Sequence, residues 1–91
     1  MFRLITTNTF EKDVLKCAKR GLSLDLLQKV IKLLENSGTL PLNYKSHILS
    51  GKYDGYLECH VKPDWLLIWI KNDIQRTITL IGTGTHSDLF K

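Results

Sequence analysis

Trp65-Leu66-Leu67-Ile68-Trp69-Ile70 is an unbroken apolar run of six residues. A strand with one wet face alternates apolar and polar residues. A run that is apolar on both faces belongs in the middle of a sheet. The residues before it behave differently. From Tyr56 to Val61, strand alternation puts Tyr56, Glu58 and His60 on one face and Leu57, Cys59 and Val61 on the other. One face is polar and titratable, and the other can enter a core. Pro63 suits the second position of a tight turn because its φ is already fixed, and Asp64 is a common turn residue. The hairpin therefore brings an imidazole, His60, close to a carboxylate, Asp64, at the rim of a sheet.

The rest of the chain supplies the other layers. Phe2 to Thr6 reads as a first strand. Asn8 followed by Glu11 has the spacing of a capping box. Phe10, Val14, Cys17 and Ala18 then recur at helical spacing up to the stop signal Gly21. Ser23 can cap a second helix with Asp25 in its first turn, and Leu27, Val30, Ile31 and Leu34 form its buried stripe. Asn36-Ser37-Gly38 ends it. So short a link between helices predicts an antiparallel helix hairpin. Residues 39 to 55 form a long irregular segment whose aromatic content argues for an ordered, packed loop. After the central hairpin, Asn72-Asp73 is a turn, Gln75 to Ile81 is the last strand, and Gly82-Thr83-Gly84-Thr85-His86 breaks it. Asp88-Leu89-Phe90 fits one helical turn.

The expected order is β-α-α-β-β-β in one domain over residues 1–91. This is a two-layer α+β fold with the helix hairpin on one face of a mostly antiparallel, four-stranded sheet. The second face and its rim are left for a ligand. Cys17 and Cys59 fit no metal spacing and fall at buried positions, so two reduced thiols are expected. The longest apolar runs fall well short of the ~20 residues of a membrane span, and no signal-peptide region is evident, so a cytoplasmic protein is expected. Thirteen Lys and Arg against nine Asp and Glu give a formal charge of +4. That balance favours a polyanionic partner such as nucleic acid without specifying one.

Three histidines, His47, His60 and His86, lie in loops or near strand ends, where side chains can converge. Imidazoles titrate near neutral pH, so a pair can serve as base and acid in one step. RNA brings its own nucleophile, the 2′-hydroxyl. Its cleavage needs a base, an acid for the departing 5′-oxygen, and cations for the charge that builds on phosphorus, with no cofactor. Zinc held by the imidazoles and a carboxylate is the competing reading, but the spacing contains neither HExxH nor a cysteine pair. Gly82-Thr83-Gly84 fits either a backbone cradle for phosphate or a simple turn.

The segment Tyr44-Lys45-Ser46-His47, then Gly51, Gly55-Tyr56, His60-Val61-Lys62-Pro63-Asp64-Trp65, and Gly82-Thr83-Gly84-Thr85-His86 through Leu89-Phe90 resembles the YafQ branch of the RelE/ParE toxin superfamily. The resemblance covers nearly the whole chain. It implies a toxin of a toxin–antitoxin pair, one that enters the ribosomal A site, cuts mRNA and is neutralised by a cognate antitoxin. By position it implies an active site of His47, His60, Asp64 and His86, with Phe90 contributing. His86 would be the general acid, His47 or His60 would activate the 2′-hydroxyl, and Asp64 would orient an imidazole. Glu58 aligns with an acidic family position. Relatives commonly carry arginine at the positions of Leu57 and Gly82. Here the stabilisation of phosphorane charge would fall to Lys45, Lys52, Lys62 or Arg76, or to the ribosome. A non-catalytic RNA-binding module, or a ParE-like inhibitor of a protein target, shares the fold without needing the histidines.

Overall fold

The computed structural model describes residues 1–90. Its elements are β1 (Arg3–Thr6), α1 (Asn8–Lys19), α2 (Leu24–Ser37), β2 (His47–Ile48), β3 (Leu57–Lys62), β4 (Trp65–Asn72), β5 (Thr77–Gly84) and a four-residue helix α3 (His86–Leu89). The sheet order is β1-β5-β4-β3-β2, antiparallel except where β1 pairs with β5. The two-layer α+β reading holds, with five strands in place of four. The extra strand is β2, whose two residues are too few to carry an alternation signal.

The apolar run lies where its pattern demands, in β4 between β3 and β5. Trp65, Leu67 and Trp69 join Cys59, Ile78 and Leu80 in a core with Phe10 and Cys17 of α1 and Leu27, Val30 and Leu34 of α2. Leu66 and Ile68 point to the opposite face and are also buried. Both cysteines are free and buried.

Two boundaries differ from the sequence reading, and the long segment is ordered as expected. The N-cap of α1 is Thr7, not Asn8: its hydroxyl accepts from the Phe10 N–H and donates to the Leu80 carbonyl, 3.0 Å away. A threonine that caps the helix and also bonds the sheet outcompetes an asparagine that could only cap. Glu11 instead accepts from the Thr6 hydroxyl. The Gly82-Thr83-Gly84 stretch does not break the last strand. It pairs with Ile68, Leu67 and Leu66 and extends β5 to Gly84, with Ile81 as the extra residue of a bulge. The long segment before the hairpin is ordered by β2 and by 3₁₀ turns at Leu42–Tyr44 and Gly51–Tyr53.

α2 ends at Gly38, whose left-handed φ of 74° lets its N–H bond the Leu34 carbonyl. Leu27 and Leu34 are fully packed beneath it. Leu27→Ala and Leu34→Ala should each lower the unfolding free energy by ~2–5 kcal/mol, read from denaturant melts. Unchanged midpoints at both would mean that α2 does not pack on the sheet through this face.

Candidate active site

The register of the sheet builds two rows on the face away from the helix hairpin. His47 of β2 stands opposite Glu58 of β3, and Glu58 is opposite Ile68 of β4, which is opposite Gly82 of β5. One step along, His60 is opposite Leu66, which is opposite Gly84. The histidines thus enter from neighbouring strands, and the β5 end of each row is a glycine. The chain end folds into the space left by the missing side chains. A Cβ on Gly84 would lie 2.8 Å from the Asp88 carboxylate, and one on Gly82 would lie 3.4 Å from Leu89 and 3.1 Å from the Asp13 carboxylate. The glycines admit α3, and α3 delivers His86.

The result is a line of imidazoles. Ring centroids are 6.5 Å apart for His47 and His60, 6.1 Å for His60 and His86, and 6.2 Å for His86 and Phe90. Each ring is oriented through Nδ1. The His86 Nδ1–H donates to Asp64 Oδ1 at 2.9 Å, and the His86 backbone N–H donates to the same oxygen at 3.2 Å. These two bonds hold the Asp64 carboxyl below the usual carboxylate range, so Asp64 remains an anion. The His60 Nδ1–H donates to the Pro63 carbonyl at 3.1 Å. With Nδ1 engaged in both rings, Nε2 of His60 and of His86 is left to act on a ligand.

His47 differs. Its Nδ1 faces the Lys45 carbonyl at 3.1 Å and its Nε2 faces Glu58 Oε1 at 3.2 Å. Both ring nitrogens therefore face oxygens, which fixes the plane of the ring. Glu58 was expected on an open polar face, yet it is only 4% exposed, and its second oxygen has no partner. It lies beneath His47 and supports it from below.

α3 is secured independently. Thr85 and Asp88 form a capping box. Asp88 also takes a two-pronged ion pair from Arg20, the C-cap of α1, with one bond of 2.9 Å, and a longer contact of 3.4 Å from Lys16. Two residues before Thr85, the buried Thr83 hydroxyl accepts from the Trp65 indole at 2.9 Å and donates to the Leu66 carbonyl at 2.7 Å. The Thr83 N–H is taken by Asp13, which removes it from any phosphate cradle. Burial raises the Asp13 carboxyl above its usual range against the pull of that N–H.

The supporting cations divide sharply. Lys52 stands 5.9 Å from the Tyr53 ring and lines a hollow with Phe90. Lys62 closes β3 beside the turn, and Lys45 holds His47 through its carbonyl. Arg76 is not part of the site. It immediately precedes β5, at the opposite end of that strand from the imidazoles, and stacks on Phe2 at 4.1 Å. Leu57 turns toward the helix side, opposite Trp69, while position 82 faces the imidazoles. Among the described residues no group of three or more His, Cys, Asp or Glu side chains is arranged to hold a metal. Tyr53, Asp88 and Arg20 were missed as site supports. The Thr-x-x-Asp of residues 85–88 carried a capping signal that could have found Asp88.

Asp88 has a sign that can be tested. The Arg20 guanidinium, followed by the Thr85 N–H, holds its folded pKa far below the usual carboxylate range. The pair therefore stabilises the fold above about pH 4, and that contribution is lost as pH falls below it. Asp88→Asn should lower stability at neutral pH and flatten the acid limb of the stability profile. A variant whose acid limb matches wild type would show that the pair contributes nothing.

A family model described as the bacterial toxin of a type II toxin–antitoxin system, YafQ, matches residues 2–91. The mRNA interferase toxin YafQ of Escherichia coli strain K12 is 41% identical over 83 residues, covering 89% of this chain and 87% of that protein. A crystal structure of YafQ from E. coli strain BL21(DE3) superposes with a TM-score of 0.92 at 34% identity, covering both chains completely. The E. coli DinJ-YafQ complex gives a TM-score of 0.90 at 35% identity, again covering both chains completely.

Proposed function

Because the chain belongs to the YafQ family of type II toxin–antitoxin toxins, we propose that it is an mRNA interferase that cuts message in the ribosomal A site. Its relative is named an mRNA interferase, and that relative's structure has been solved in complex with DinJ. Both support an endoribonuclease that a cognate antitoxin binds and neutralises. The observation that carries the reading is the oriented imidazole pair, with His60 and His86 6.1 Å apart and each anchored through Nδ1.

A scissile phosphate fits between the two rings. His60 Nε2 takes the proton of the 2′-hydroxyl as that oxygen bonds to phosphorus. The bond from phosphorus to the 5′-oxygen breaks, and His86 Nε2 gives its proton to the leaving oxygen. The products are a 2′,3′-cyclic phosphate upstream and a free 5′-hydroxyl downstream. Asp64, an anion, orients His86 and stabilises its charged form before the proton leaves. His47, held between Lys45 and Glu58, lines the site beside the phosphorane, and Lys52 and Lys62 supply positive charge there. No proton transfer in this scheme passes through a metal or cofactor. No helix among the described residues is long and apolar enough to cross a membrane. A protein that works on ribosomes acts in the cytoplasm.

A ribosome-dependent cleavage assay tests the roles. His86→Ala should slow cleavage by ~10²–10⁴ and leave folding and antitoxin binding nearly intact. His60→Ala should be comparably slow, and His47→Ala should retain more activity. Equal cutting by wild type and all three variants would remove the histidine mechanism. A folded wild type that cuts nothing would point to positions 57 and 82.

A further inference from the structure

His86 is carried by the four residues of α3, a helix far too short to hold its own shape. Two carboxylates fasten it. Asp64 reaches the ring from the β3–β4 turn, but the Asp64 side chain is 69% exposed and that of His86 is 57% exposed. A pair so open to water is weak: it can turn the ring, but it cannot fix the backbone that carries the ring. Asp88, two residues on, is sheltered, with its side chain only 15% exposed. Its bonds to Thr85, at 2.9 Å and 3.2 Å, close the turn from within and tie it to no other element. The Tyr53 hydroxyl reaches the Leu89 carbonyl through a single long bond of 3.3 Å. The stronger ties leave Asp88 for α1. Lys16 contributes one contact of 3.4 Å, while both terminal nitrogens of Arg20 donate, one to each carboxylate oxygen.

Arg20 is itself placed to transmit position. It is the C-cap of α1, and its N–H donates to the Lys16 and Cys17 carbonyls at 3.2 Å and 3.1 Å. Phe10 and Cys17 pin the same helix into the core. On its other side the Asp88 carboxylate lies over Gly84, where a Cβ would come within 2.8 Å of it. The carboxylate is thus held between the guanidinium and the strand end that leads into His86. In sequence, a basic residue at this place reads as no more than a partner for the helix dipole. We propose that Arg20 is a positioning residue for cleavage: through Asp88 it holds α3 so that the His86 ring meets the leaving oxygen. Arg20 touches no RNA in this role. A displacement of about 1 Å is enough to cost ~10² in rate. Lysine supplies the charge but not the fork, so it replaces Arg20 only in part. The proposal rests on the ribonuclease reading of His86, while the hold on the ring can be measured without cleavage.

Two measurements on the intact protein test this role. In ribosome-dependent cleavage, Arg20→Gln should lower kcat by ~10–100-fold and leave KM within about twofold of wild type. Arg20→Lys should fall between the two. Arg20→Gln combined with Asp88→Asn should be no slower than the slower single variant, because both changes break one link. Lys19→Gln removes a neighbouring charge of α1 and should keep the wild-type kcat. A raised KM with kcat intact would make Arg20 a contact to the ribosome and overturns the proposal. An equal loss of kcat in Lys19→Gln also overturns it. The second measurement reads the tautomer of the neutral His86 ring by nitrogen NMR. In wild type the proton should sit on Nδ1, against Asp64. In Arg20→Gln a large share should move to Nε2 while the amide spectrum stays native. Arg20→Lys carries both readouts if Arg20→Gln does not fold. An unchanged tautomer in a natively folded Arg20→Gln protein overturns the proposal. A loosened tautomer in a chain whose wild type cuts no message would uphold the hold on His86 and sink the ribonuclease reading alone.

Discussion

The Thr83 hydroxyl is the joint on which the site hangs. It is buried, accepts from the Trp65 indole and donates to the Leu66 carbonyl, so it bonds the start of β4 to the end of β5 from inside the core. Asp13 holds the Thr83 backbone from the other side. A buried hydroxyl with every partner in place fixes geometry more firmly than apolar packing does, because losing one partner strands the others without water. Three residues later the chain must present His86. Any slack at Thr83 would be passed directly to the ring that Asp64 is positioned to receive.

Beyond that joint, acidic residues hold the imidazoles and the last helix in place. Asp64 orients His86, Glu58 lies under His47, and Asp88 fastens α3 to α1 through Arg20. All three pairings place a carboxylate behind a cation or an imidazole. The thiols stay out of the chemistry: burial, aided by the nearby Glu58 charge, pushes Cys59 up to about 12. A buried thiol with so high a pKa is a poor nucleophile at neutral pH.

Much of this was legible in residue order. The apolar run fixed the central strand, the helical stripes fixed the two long helices, and the histidines marked the rim. What stayed hidden was set by tertiary pairing. β2 exists only because β3 offers it an edge, so His47 and Ile48 carry no strand signature of their own. Glycines at 82 and 84 read as a break, yet they are the floor into which the chain end folds. Glu58 read as solvent-facing because alternation gives the face and not what covers it. Arg76 looked like a free cation until the β4–β5 turn carried it to the far end of the sheet, over Phe2.

The two-residue strand that carries His47 has a consequence of its own. β2 is paired on one side only, both of its side chains are exposed, and its neighbours are turns. Segments of that kind open locally at a small fraction of the free energy of global unfolding. His86, in contrast, follows a strand locked by Thr83 and begins a helix locked by Asp88. The two ends of the imidazole line therefore belong to cooperative units of unequal strength. Warming should release the His47 end while the rest of the sheet is intact, so this edge and the core lose their structure at different temperatures. Amide exchange at Ile48 and Leu49 would run far ahead of exchange at Ile68.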